Sequence, residues 1–370
     1  MRNKTFVLVS PKNRTAYNFR GELIEEIVTQ GYKVYVTGPN RIDVDKIEAL
    51  GAEFVEIAND KNGVSITSDI KYLLALIKLF RRVKPSVTLG YTVKPVIYGA
   101  IAARLSGVKS INSMITGVGY LFISKSRKAK LLKSLVLILY KIGLWCADNV
   151  IFQNRDDRSE FVANGLVKDS KCNLVNGSGV NMSRFTRAPY PEQLTFFMLS
   201  RAMYSKGVME YAEAARMVKS KYSDIRFIFL GAFENIQDSV DEAEFRAKYI
   251  DSGVFDYFPE TDNVPSFIAM SSVYVLPSYR EGTPRTVLEA MAMGRAIITT
   301  DVPGCRETVQ NTKNGFLVDV RSAQAVADAM IHIIENPALI QEMGDASYDY
   351  CHTKYRVEVV NETMRTILKI

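Results

Sequence analysis

An α/β chain made of two doubly wound halves is what the sequence predicts, on three observations. Short β-rich runs alternate with amphipathic stretches through the first half. The alternation stops at NGSGVNMSRFTRAPYPEQ, residues 176–193, rich in Gly, Pro, Ser and Asn, and then restarts. The length, 370 residues, suits two domains. Strand–helix alternation of this kind argues for parallel sheets covered on both faces.

In order, the first half offers the strands TFVLVS, KVYVTG, AEFVEI, SVTLGY, KSINSMI, NVIFQN and CNLVNG. Helices are expected around Phe19–Thr29, Ile70–Arg82, Pro95–Leu105, Arg127–Leu144 and Asp156–Ala163. The second half offers LTFFMLS, IRFIFLG, VFDYF, VYVLPS, RAIITT and GFLV. Its helices are expected around Gly207–Lys219, Ser239–Ile250, Pro284–Met293, Ala323–Ile334 and Leu339–Tyr348, with a last one over Val357–Ile370. The expected domains are 1–180 and 194–355, with 181–193 as linker and 356–370 as a terminal helix. Two such halves place a cleft between the carboxyl ends of two sheets, where ligands bind.

Apolar residues make up 47% and charged residues 24%, an ordinary globular composition. The cysteines Cys146, Cys172, Cys305 and Cys351 are scattered and form no CxxC pair, which suits a reduced, cytosolic protein. The only histidines, His332 and His352, argue against a histidine metal site or catalytic dyad. The opening MRNKTFVLVSP reads as a short strand ended by proline, not as a secretory signal. No run approaches the ~20 apolar residues that cross a bilayer.

The net charge of +7 is unevenly spread. From Ile70 to Ala147 there is no Asp or Glu, while the same 78 residues hold 14 Lys and Arg. Such a block suggests an anionic partner. Its sharpest piece, SKSRKAKLLKSLVLILYKIGLW, carries Lys125, Arg127, Lys128, Lys130, Lys133 and Lys141, and repeats Leu131, Leu135, Ile138, Ile142 and Trp145 at helical spacing. A helix of this kind can lie in a membrane interface, its stripe among acyl chains and its lysines near anionic headgroups. A core-facing helix with a basic outer side fits the same pattern.

Near residue 280 the chain reads SYREGTPRTVLEAMAMG. Tyr279 to Thr283 form a strand-to-helix turn, and Pro284 suits a first helical position. Gly282 lets backbone approach a ligand, and the helix tip favours a phosphate. Glu289, on the second helical turn, can hold a vicinal diol such as a ribose. Glu281, at the strand exit, can reach a sugar hydroxyl or a developing positive charge. A solvated Glu281 and a simple Arg285–Glu289 surface pair would explain the same residues. A second segment, SRAMYSKGV, puts Arg201 after a strand and Lys206–Gly207 before a helix. Arg chelates phosphate oxygens and Lys adds a point charge, so the two suit a diphosphate.

Together these residues resemble the retaining glycosyltransferases of the GT-B fold, glycosyltransferase family 4. That family carries an R-x4/5-K-G segment, matched by Arg201 and Lys206–Gly207, and an E-x7-E segment, matched by Glu281 and Glu289. LEAMAMGRAIITTDVPGCRETV and NGFLV extend the likeness over about 194–320, and NGSGVNMSRF is its clearest echo further upstream. The resemblance implies two Rossmann-like domains facing across a cleft, and a final helix that crosses back. It implies that Arg201 and Lys206 neutralise the donor diphosphate and Glu289 holds the ribose. Glu281 would contact the donor sugar, with the Gly282 and Thr283 amides helping. Attack on the face of departure needs no protein nucleophile; the work is charge stabilisation.

Two departures matter. Many relatives read E-G-F-G where this chain has Glu281-Gly282-Thr283-Pro284, and proline removes one N–H. Proline there is common in the branch acting on undecaprenyl-diphosphate-linked sugars. Many relatives also bring a histidine from the first domain, and this half has none. Thr116, Gly117 and Gly119 fill that neighbourhood, while Asn18 and Arg20 are candidates to meet the acceptor. For Asn18 a helix-start role is equally open. The triplet Asp43-Val44-Asp45 reads as a helix start, not a metal site, and no metal requirement is expected.

The expectation is therefore an enzyme taking a UDP-sugar donor, the sugar a hexose or N-acetylhexosamine. Its acceptor would be an undecaprenyl-diphosphate-linked saccharide of O-antigen, capsule or protein-glycan assembly. It would work in the cytoplasm, peripheral on the inner face of the membrane, with no nucleic acid partner. A UDP-sugar epimerase of the same architecture and a catalytically silent lipid-binding subunit are the rivals. The first lacks histidines around its sugar, and the second leaves Arg201, Lys206, Glu281 and Glu289 unexplained.

Overall fold

The computed structural model describes residues 4–59, 65–117 and 127–370, without the side chains of 127–133. It divides into two units, Met1–Ser178 with Val360–Ile370, and Gly179–Val359.

The first unit holds β1 (Thr5–Val9), β2 (Lys33–Gly38), β3 (Glu53–Glu56), β4 (Val87–Tyr91), β5 (Ser110–Ile115), β6 (Asn149–Phe152) and β7 (Cys172–Leu174). They form one parallel sheet in the order β3-β2-β1-β4-β5-β6-β7. Its helices are α1 (Asn13–Thr29), α2 (Val44–Glu48), α3 (Ile66–Val83), α4 (Ala100–Leu105, entered through a wider turn at Pro95–Gly99), α5 (Arg127–Cys146) and α6 (Arg155–Ala163). Residues of α3 to α6 make one core against the sheet, and α1 and α2 make another. Capping fixes the starts of α3, where Ser65 accepts from Ser68 N, and α6, where Asn154 accepts from Asp157 N. The carbonyls at the end of α5 take two cations: Arg104 donates to Cys146 O at 2.7 Å, and Lys171 to Trp145 O at 2.9 Å.

The second unit holds β8 (Thr195–Leu199), β9 (Arg226–Leu230), β10 (Asp256–Phe258), β11 (Val273–Leu276), β12 (Ala296–Thr300) and β13 (Gly315–Val318), parallel in the order β10-β9-β8-β11-β12-β13. Its helices are α7 (Val208–Lys221), α8 (Glu242–Phe245), α9 (Val264–Ala269), α10 (Arg285–Ala292), α11 (Ala323–Glu335) and α12 (Ala338–Lys354). The last helix, α13 (Val357–Leu368), sends Val360, Met364 and Leu368 into the core with α1, and its Arg365 pairs with Glu26 at 3.0 Å.

Several boundaries differ from the sequence reading, among them the start of α3, at Ile66 and not Ile70; three have visible causes. Helix α1 begins at Asn13, six residues ahead of Phe19, because the polar start NRTAYN has its own partners. Asn13 Nδ2 donates to Ile42 O at 2.5 Å and to Asn40 O at 2.9 Å. Asn18 is therefore inside a helix, and the helix-start role is withdrawn for it. Helix α8 starts at Glu242, not Ser239, because Asp241 caps it and Ser239 bridges Met203. The segment 181–193, expected as a linker, packs on the second unit. Phe185 is in its core, Tyr190 donates to Gly294 O at 2.8 Å, and buried Arg295 donates to Ala188 O and Pro189 O.

Candidate functional site

In each sheet the strand order reverses once, at β1/β4 and at β8/β11. Loops leaving the carboxyl ends of such a pair diverge and leave a crevice for ligands. The second unit's reversal puts the turn after β8, with Arg201 and Lys206, beside the turn after β11, with Glu281 to Thr283. Lys206 Nζ lies 2.5 Å from Glu281 Oε1, and Ser278 Oγ donates to the same oxygen at 2.8 Å. The two segments read separately in the sequence are one structure.

Backbone contacts hold these turns in register. Ser205 O accepts from Tyr279 N at 2.8 Å and from Ser278 Oγ at 3.0 Å. Gly207 has φ +73° and its missing side chain matters, since a Cβ there would sit 2.0 Å from Pro277 O. Pro303 O accepts from Glu281 N at 3.0 Å. A Cβ on Gly304 would meet Glu281 O at 2.3 Å and Gly282 O at 2.4 Å, so the turn after β12 braces the Glu281 turn from behind. Beneath it Cys305 is buried, and burial, with Glu281 near, pushes its thiol up to about 12. It is no nucleophile.

Pro284 is the N-cap of α10 rather than its first helical residue, one position from the expectation. Glu289 falls on the second turn and pairs with Arg285, Nε to Oε1 3.1 Å. The pair has the spacing of a surface i,i+4 bridge, but its side chains are only 7% and 12% exposed. Burial raises the Glu289 pKa, while the Arg285 and Arg184 charges oppose the rise. Arg184, Gly304, Asp238 and Glu234 were missed as neighbours of these turns. Only tertiary contact brings them there, though Arg184 lies in the SRF echo already singled out.

In the first unit, the turn after β1 and helix α1 meet β4. Tyr91 is buried, and its hydroxyl contacts Ser10 Oγ at 2.5 Å and Thr15 Oγ1 at 2.9 Å. Arg20 is also buried, 5.7 Å from the Tyr91 ring centre and with Nη2 on Met114 Sδ at 2.8 Å. It braces the end of the sheet from within. Asn18 is half-buried, as are Thr116 and Gly117, which has φ +107°. Gly119 lies outside the described residues. Asp43 pairs with Lys46 at 3.2 Å and accepts from Tyr17 at 3.3 Å. Among the described residues no cluster of three metal-ligating side chains occurs.

Helix α5 has two apolar faces. Tyr140 and Leu144 enter the core, while Leu135, Ile138, Ile142 and Trp145 stay exposed. Lys125 and the side chains of Arg127, Lys128, Lys130 and Lys133 lie outside the described residues. Of the twelve large apolar side chains that the described residues expose, eight are on α3, α4 and α5. No described helix is long and apolar enough to cross a membrane.

The architecture is GT-B. Anabaena HepE, solved in complex with UDP-glucose, superimposes with TM-score 0.78 at 13% identity, over 99% of this chain and 100% of that one. Residues 7–154 match the family described as glycosyl transferase 4-like, and residues 181–350 match glycosyl transferases group 1. The chain belongs to the group 1 glycosyl transferases, with a glycosyl transferase 4-like first half, and is a glycosyltransferase. It is 24% identical over 345 residues to a Campylobacter jejuni N,N'-diacetylbacillosaminyl-diphospho-undecaprenol alpha-1,3-N-acetylgalactosaminyltransferase, covering 90% of this chain and 89% of that one. It is 24% identical to an Escherichia coli UDP-Gal:alpha-D-GlcNAc-diphosphoundecaprenol alpha-1,3-galactosyltransferase, covering 75% and 73%.

Proposed function

We propose that this enzyme moves a hexose or N-acetylhexosamine, with retention, from a UDP-sugar to a saccharide carried on undecaprenyl diphosphate. The acceptor reading rests on the two relatives, whose names both specify diphospho-undecaprenol saccharides. The donor reading is supported by HepE, solved with UDP-glucose. One observation carries it: the β8/β11 reversal that brings Lys206 to 2.5 Å from Glu281.

In this reading Arg201 and Lys206 take up the charge that grows on the leaving diphosphate. Glu289 accepts from the ribose hydroxyls, and Glu281 with the Gly282 and Thr283 amides holds the sugar. The acceptor hydroxyl attacks from the face that the diphosphate leaves. The sugar–phosphate bond breaks, the new glycosidic bond forms, and the departing phosphate oxygen takes the hydroxyl proton. Two protein cations supply the charge, so the reading requires no metal. Thr116, Gly117 and Gly119, with Asn18, would meet the acceptor. The cationic first half, including Lys125, Arg127, Lys128, Lys130, Lys133 and Trp145, would hold the enzyme on the anionic inner face of the cytoplasmic membrane.

A panel of UDP-sugars in a thermal-shift assay, followed by transfer to a synthetic undecaprenyl-diphosphate saccharide, tests this. A donor at a hundred times its Kd stabilises the fold by about 2.7 kcal/mol. Lys206→Ala and Glu289→Ala should each abolish the shift, and the product should keep the donor's anomeric configuration by NMR. A shift surviving both changes, or an inverted product, would contradict the assignment.

A further inference from the structure

The arginine assigned to the donor diphosphate is already engaged. Arg201 Nη1 lies 2.9 Å from Glu234 Oε2, and the two side chains are 41% and 34% exposed, so an incoming anion can reach the pair. Glu234 stands on the loop between β9 and α8, which is joined to the Arg201–Lys206 turn along its length. Ala202 N donates to Ala232 O at 2.9 Å, Tyr204 N to Asp238 O at 2.9 Å, and Val240 N to Ala202 O at 3.1 Å. Buried Asp238 also accepts from Ser205 N at 3.3 Å and from the Ser205 hydroxyl. The backbone that carries Glu234 is thus fixed beside the diphosphate turn.

We propose that Glu234 is a place-holder for the donor diphosphate on Arg201, a specificity device that rests on the donor-site reading above. Its carboxylate occupies a guanidinium donor that a phosphate oxygen would use. A ligand must displace it to bind fully. A diphosphate does so because Lys206 contributes a second cation, whereas a single anion gains less than it displaces. The residue therefore lowers affinity for the right ligand while excluding small anions from the site.

The test is UDP binding by calorimetry at low salt. An exposed pair of this kind contributes about 0.2–1 kcal/mol, so Glu234→Gln should tighten UDP by roughly 1.4- to five-fold. Uridine, which has no phosphate, should bind both proteins alike. In an Arg201→Gln background the gain should vanish, since the place-holder acts only through that guanidinium. Unchanged or weaker UDP binding by Glu234→Gln overturns the proposal. So does an equal gain for uridine or without Arg201. If neither wild type nor Glu234→Gln binds UDP, the donor site itself is misassigned and the place-holder falls with it.

Discussion

At Glu289, burial and the proposed ribose role pull in opposite directions. Burial favours the neutral acid, and Arg285 with Arg184 only partly restores the anion. A carboxylate can accept from both hydroxyls of a ribose; a neutral carboxyl has one oxygen that must donate. Acidification should therefore weaken UDP binding through this residue at a pH above the ordinary glutamate range of ~4.3. The effect on the fold has the opposite sign. A raised folded pKa contributes stability that is full below the unfolded value and lost as pH rises through the folded one. Protonating Glu289 thus supports the fold while it loosens the ligand. Calorimetry of UDP from pH 8 to 5 should show wild type losing affinity faster than Glu289→Gln, the phosphate's own titration being common to both. Parallel curves would remove Glu289 from the ribose.

At the scale of elements, the hidden staple is Arg295, at the entry to β12. Its Nε donates to Ile268 O at 3.2 Å, and its other nitrogens reach Ala188 O, Pro189 O and Ala269 O. Its carbon Cζ also lies 4.9 Å from the Tyr190 ring centre. Removing it strands buried carbonyls, so Arg295→Met should cost at least about 2 kcal/mol in chemical denaturation. A loss under ~0.5 kcal/mol would show that these carbonyls find water. None of this was legible in RAIITT, where the arginine reads as a polar residue before an apolar strand. The strands themselves were legible, because parallel sheets buried on both faces leave unbroken apolar runs such as FFML and VYVL. Helix starts were less so. Asn13 and Ser239 take their states from tertiary partners, Ile42 O and Met203, which no local pattern contains. The paired turns were legible as types and spacing, while their braces, Gly304 and Asp238, were not, since the groups each one touches lie far away in the sequence.

At the scale of the whole molecule, exposed apolar surface is concentrated on one side of the first sheet. Ile66, Ile70 and Leu74 recur every four residues along α3 and are 75%, 51% and 59% exposed. Leu105 on α4 and the α5 stripe ending in Trp145 share the sheet face. The acid-free block showed the charge in the sequence. It did not show which of two apolar faces of α5 would be covered, because that depends on Ile97 and its neighbours packing under Gly143. The α3 stripe is not legible as a surface in the sequence, since apolar residues at helical spacing ordinarily face a core. With Lys71, Lys78, Arg81 and Arg82 on the same helix, this surface suits an anionic bilayer. Each large side chain leaving water is worth about 1.5–3 kcal/mol when fully buried. Ile70→Ser with Leu74→Ser, and separately Ile138→Ser with Trp145→Ser, should then each lower partitioning onto phosphatidylglycerol vesicles by on the order of tenfold or more. Binding to neutral phosphatidylcholine should be weak throughout, and raised salt should weaken binding to the anionic vesicles. Both double variants should keep their UDP thermal shift, because the turns proposed to hold the donor belong to the other unit. If sedimentation with anionic vesicles is the same for all three proteins, the stripes face something other than lipid. Light scattering would then show whether that is a second copy of the chain.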